Sequence, residues 1–160
     1  MNRLIRFLSV CLLLSFVFPV QAKVDGVTNE PNQVYLFSYS NRDGRSGLKF
    51  AWSPDGEKWF SVADGFAYVN SDFGPWGRAK TMFKPHLMQT RADGKWHCIW
   101  EATNTGKALA YVTSPDLQKW EAQSYFSPEE RSKYEPKDVY PTTQKKVLVN
   151  GSEEAGWVQE

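Results

Sequence analysis

The feature that most constrains this chain is a phrase it uses twice. Ser53-Pro54-Asp55 precedes Lys58-Trp59, and Ser114-Pro115-Asp116 precedes Lys119-Trp120, at one constant offset of 61 residues. The same offset carries Leu48 and Phe50 onto Leu109 and Tyr111, and Tyr35, Phe37 and Tyr39 onto Trp96, Cys98 and Trp100. Both stretches alternate large side chains with a period of two, the mark of a half-buried strand. The loops between them, "NRDGRSG" and "TNTGKA", carry the Gly and Asn that hairpins need. Each copy therefore reads as strand, hairpin, strand, turn and outer strand. In the turn, Pro fixes φ and the following Asp accepts backbone amides, so Asp55 and Asp116 read as turn formers rather than catalytic acids. A further strand in "KTMFKPHLMQT" runs through "RADGK" into the second copy. Repeats of three or four antiparallel strands predict an all-β chain of β-propeller-like blades, with two similar hairpins in a plain β-sandwich as the alternative.

The ends divide the rest. Arg3 and Arg6, the apolar run "FLSVCLLLSFVF", then Pro19 and Ala22 predict a secretory signal over residues 1–22 with cleavage before Lys23. Residues 23–33 form a lead-in, and 34–127 hold two blades, 34–69 and 79–127. Residues 128–141, with Pro136 and Pro141, read as a linker. Residues 142–160 contain an apolar strand, an Asn150-Gly151 turn and a second strand. They are either a last hairpin on the second blade or the start of a truncated β domain. The formal net charge of +1 loses two positive charges with the signal. No basic surplus points to nucleic acid, and no membrane association is expected after cleavage. Past the signal Cys98 is the one thiol, and with His86 and His97 it makes no metal-ligand cluster; neither metal nor cofactor is expected. Seven Trp and 15% aromatic residues suit a protein that handles sugars.

"SPDGEKW" and "MFKPHLMQTRADGKWHCIWEATNTGKALAYVTSPDLQKWEAQSYF" resemble blades of the five-bladed propeller of glycoside hydrolase families 43 and 32, above all the exported arabinosidase-like members related to family 43. The likeness runs from about Val34 to Phe126, and the sialidase Asp-box is a poorer match. The resemblance implies a propeller of which this chain holds about two of five blades. It implies hydrolysis of glycosidic bonds in a polysaccharide or oligosaccharide, in the periplasm or outside the cell. A non-catalytic glycan-binding module and an inactive truncated relative are the alternatives. Two blades would also leave unpaired faces open to self-association. The sequence departs from the family where Arg-Asp-Pro is expected: Phe83-Lys84-Pro85 puts a lysine at the carboxylate position.

Strand alternation then places Lys84 and His86 on one face, candidates for binding substrate. The loop "NSDFGPWGRAK" supplies Asp72 with Trp76 and Arg78, an aromatic plate and polar grips suited to a sugar ring. Glu101, after "WHCIW", is a second acidic candidate, so Asp72 and Glu101 form the expected acid/base pair.

Overall fold

A computed structural model describes residues 33–73 and 80–159. The alternating stretches form nine strands among the described residues: β1 Tyr35–Tyr39, β2 Lys49–Ser53, β3 Phe60–Ser61, β4 Phe83–Gln89, β5 Trp96–Glu101, β6 Leu109–Ser114, β7 Ser124–Phe126, β8 Thr142–Val149 and β9 Ser152–Gln159. They build two antiparallel sheets, ordered β3-β2-β1-β9-β8 and β4-β5-β6-β7. The fold is all-β.

The sequence repeat is also a repeat of register. Phe37 pairs with Ala51 and Tyr35 with Ser53, as Cys98 pairs with Val112 and Trp96 with Ser114. Both repeated turns are closed from within. Asp55 Oδ1 accepts the amides of Glu57 and Lys58 at 2.9 and 3.0 Å, and Asp116 Oδ1 accepts those of Gln118 and Lys119 at 2.9 and 2.7 Å. These bonds, the Lys58 and Lys119 amides foremost, hold both carboxyls below the usual aspartate range. Lowered folded values mean the stabilisation is complete above the unfolded range, near about pH 4, and disappears as pH falls through the folded values. An Asp55→Asn/Asp116→Asn double variant should therefore lose less stability than the parent on acidification below about pH 4, read from urea midpoints across pH.

The C-terminal hairpin turns at Asn150 and Gly151, whose φ values of 49° and 82° suit the Asn-Gly pair. It packs neither on the second sheet as a last strand pair nor as a separate unit. Its strand β9 pairs with β1 and makes β1 an interior strand of the first sheet. Val158 faces Phe37 as Leu87 faces Cys98, the counterpart of Phe37 in the repeat. Thus β9 fills in the first sheet the place that β4 fills in the second. Trp157 and His86 occupy matching positions, and their rings stack on one another at 3.7 Å between centroids.

Both sheets cover their outer faces from within the chain. The first curls until Trp59 and Val149 form a parallel bridge, and Asn150 Nδ2 donates to Ser61 Oγ at 2.9 Å beside it. The curl encloses Phe37, Tyr39, Ala51, Trp59, Val149 and Val158. On the second sheet, Met88, Ile99, Leu109 and Phe126 lie beneath the segment read from sequence as a linker. That segment is a strap. It carries a short 3-10 helix, Pro128–Lys133, started where the Glu130 carboxylate accepts the Ser127 amide at 3.2 Å. Tyr134 then stacks on Phe126 at 4.1 Å. The Arg91 amide donates to the Asp138 carbonyl, and the Tyr140 amide donates to the Gln89 carbonyl, each at 2.9 Å. Pro136 follows the helix without freeing the chain, because these two backbone bonds tie the strap to the end of β4. The curl and the strap thus cover the apolar clusters on the outward faces of the two sheets.

Leu48, Phe50, Met82, Leu87, Cys98, Trp100 and Val112 fill the space between the sheets. Cys98 is wholly buried there, and burial raises its thiol far above the ordinary range, which makes it inert packing.

Candidate functional site

The repeat breaks down where the inner strands begin, and a groove of about 290 Å³ opens there. It is lined by Ser40, Asn41 and Arg42 after β1, Phe83 and Lys84 of β4, Glu101 and Asn104 at the end of β5, Lys146 of β8, and Glu153 to Ala155 of β9. Three contacts assemble it. Ser40 Oγ donates to the Met82 carbonyl at 2.9 Å, and the Met82 amide donates to the Gly44 carbonyl at 2.7 Å, tying the β1–β2 loop to the start of β4. Gly44, at φ 69°, lies so close to the Phe83 ring that an added Cβ would stand 2.7 Å from it. Only glycine lets the loop close onto Phe83, which brings Asn41 and Arg42 beside Lys84.

Lys84 sits where β4 changes register by one residue against β5, between the Phe83–Glu101 and His86–Ile99 pairs. Its φ is 50°, a left-handed conformation that a lysine adopts only under constraint from its surroundings. Lys84 Nζ donates to Glu101 Oε1 at 2.8 Å. The lysine is largely in solvent and the glutamate three-quarters covered, so the pair orients Glu101 more than it stabilises the fold. Lys146 and Glu153 form a second ion pair across the hairpin, at 3.4 Å. The carboxyl of Glu154 is raised above the ordinary glutamate range by burial, with the Lys49 charge opposing the shift. Glu154 in turn helps burial hold the Tyr39 phenol above its usual value.

The register shift overturns one expectation. Strict alternation puts Lys84 and His86 on one face; the extra residue separates them, leaving Lys84 exposed while His86 turns onto Trp157. His86 Nε2 lies 3.0 Å from Thr142 Oγ1. Burial, then the Arg131 charge, depresses its imidazole to about 4, with Glu135 pulling the other way. His86 is therefore neutral near pH 7 and serves the contact between inner strands. A folded value below the unfolded one means this contribution is whole above about pH 6.5 and lost as pH falls toward about 4. With its partial solvent exposure discounted, the loss should reach about 1–2 kcal/mol. His86→Phe, which keeps a ring against Trp157, should flatten the fall in denaturant midpoint between these pH values.

Asp72 is not part of the groove. It is exposed, and its amide donates at 3.1 Å to Oε1 of Gln123, the residue before β7. Asp72 does not line this groove; Glu101 bonds Lys84, and Glu154 is a second lining carboxyl. Trp76 and Arg78 lie outside the described residues. Among the described residues no group of three His, Cys, Asp or Glu side chains could hold a metal ion.

Comparison with protein-family models, curated proteins and solved structures finds no match. The reading of this groove rests on its own chemistry. Arg42, Asn41, Asn104, Glu153 and Glu154 are lining residues that the sequence reading passed over. Asn41 and Arg42 were read only as part of a hairpin loop, and Glu153-Glu154 only as part of a terminal strand. The one local signal was the acidic pair just ahead of Gly156, a glycine inside a strand.

Proposed function

We propose that this is an exported carbohydrate-active protein of the family 43 glycoside hydrolase type, which hydrolyses glycosidic bonds of a polysaccharide or oligosaccharide at the groove between the inner strands. One observation carries the reading: Glu101, oriented by Lys84, and Glu154, whose carboxyl keeps its proton to higher pH than an ordinary glutamate, line one groove. Glycoside hydrolysis needs a carboxylic acid to protonate the leaving oxygen and a carboxylate to activate water or attack carbon. Glu154 takes the first role and Glu101 the second. Asn41, Asn104 and Arg42 supply donors and acceptors for sugar hydroxyls. Export follows from the signal read over residues 1–22, with the mature chain in the periplasm or outside the cell.

A non-catalytic glycan-binding module is favoured by a separate observation, the Lys84–Glu101 bond, which occupies one carboxylate oxygen and stands where the resembled family carries an acid. Turnover separates the two. The purified chain should release aglycone from aryl α-L-arabinofuranosides or shorten arabinan, and Glu101→Gln should abolish this while leaving oligosaccharide binding in place. Binding by the parent with no turnover on any aryl glycoside makes the protein a binding module.

A further inference from the structure

A second, larger groove of about 990 Å³ lies at the opposite ends of β1 and β9, where the repeated turn stands. It is lined by Tyr35, by Pro54 to Glu57 of the first Ser-Pro-Asp turn, by Trp96 of the second repeat, and by Lys145 and Gln159 of the hairpin. Tyr35 and Trp96 are the same position of the two repeats. Each faces the serine that opens its own turn, Ser53 and Ser114. Tyr35 is 40% exposed, unusual for a tyrosine in an interior strand, and its ring lies over Gly56, 3.7 Å from where a Cβ would stand. Val34 beside it is also exposed. The walls add the exposed side-chain amide of Gln33, the carboxyl groups of Asp55 and Glu57 and the cation of Lys145.

We propose that this groove is a second glycan-binding site, which holds a stretch of the polysaccharide away from the Glu101 groove. The inference rests on the carbohydrate reading of the protein. Two aromatic side chains at one groove, rimmed by amides and by charges of both signs, suit a neutral ligand with alternating apolar faces and hydroxyl edges. The C–H face of a sugar ring packs on Tyr35 or Trp96, and its hydroxyls bond Gln33, Glu57 and Lys145. A volume of about 990 Å³ lies at the upper end of ordinary ligand sites and has room for several sugar units. The acids of this groove lack the paired arrangement hydrolysis needs: Asp55 Oδ1 is committed to the turn amides. This site binds and does not cleave.

The test uses the full chain with arabinan and with arabino-oligosaccharides of six units, measured by retention on insoluble polysaccharide and by calorimetric titration. Tyr35→Ala should weaken retention at least tenfold and leave hydrolysis of a small aryl arabinoside unchanged. Tyr35→Trp should restore retention. Gln33→Ala, ahead of β1 and exposed, should weaken retention in the same direction. Retention unchanged in both Tyr35→Ala and Gln33→Ala, with aryl arabinoside still hydrolysed, overturns the second site alone. Absence of both retention and hydrolysis in the parent overturns the carbohydrate reading and this site with it.

Discussion

Gly156→Ala should strongly destabilise the fold. A Cβ at Gly156 would stand 2.1 Å from the Ser38 carbonyl oxygen and 2.9 Å from two carbons of the Phe37 ring. The oxygen belongs to the β1 backbone, and Phe37 is fully buried in the curl of the first sheet, so neither can yield cheaply. Relief requires β9 to move away from β1, which breaks the pairing that places the inner strand. A loss of about 3 kcal/mol is expected, at the upper end for overpacking. Gly94→Ala is the matched control: nothing lies within 4 Å of its added Cβ, and its φ of 68° leaves only the left-handed backbone cost, about 1 kcal/mol. Denaturant midpoints for the two variants should differ clearly. Equal losses would mean that β9 does not lie on β1 as described.

The second large effect falls on chemistry. Glu154→Gln should lower the rate on an aryl arabinoside with a poor leaving group by about 10²–10⁴-fold. A substrate whose leaving group needs no proton, such as a dinitrophenyl glycoside, should lose far less in the bond-breaking step, where the proposed role of Glu154 is to protonate the leaving oxygen. The pH profile carries the sign. The proposed acid role requires Glu154 protonated, so the rate should fall as pH rises through its raised value, above the ordinary glutamate range. Lys49→Met removes the opposing charge and should move that limb to higher pH. Glu154→Gln should remove the limb.

Much of the fold was legible because it is written locally and written twice. The alternation in Tyr35–Tyr39 and Trp96–Glu101, the Ser-Pro-Asp turns and the Asn150-Gly151 turn each depend on neighbours within a few residues. The partner of β9 was not legible, since Val158 and Phe37 are joined across most of the chain and leave no spacing to read. Gly156 was the clue, a strand glycine marking a close approach of another backbone. The strap misled for a related reason. Pro136, Pro141 and its charges look like a linker, while the groups that hold it are backbone amides and carbonyls with no sequence signature.

The site was half legible. Glu101 is a candidate from its place at a strand end and Lys84 from its place on the inner strand, and the structure joins them by one hydrogen bond. His86 was misplaced because period-two reasoning cannot foresee a register shift, here one residue at Lys84. Glu154 was missed because it reaches the groove only through the long-range pairing of β9.

The most direct test of the central claim is an amide NMR titration of the Glu154→Gln chain with an arabino-oligosaccharide. The account predicts shifts at residues 40–42, 83–84, 101–104 and 153–155, the segments that converge on the Glu101 groove. Saturable binding with none of these amides perturbed would contradict it.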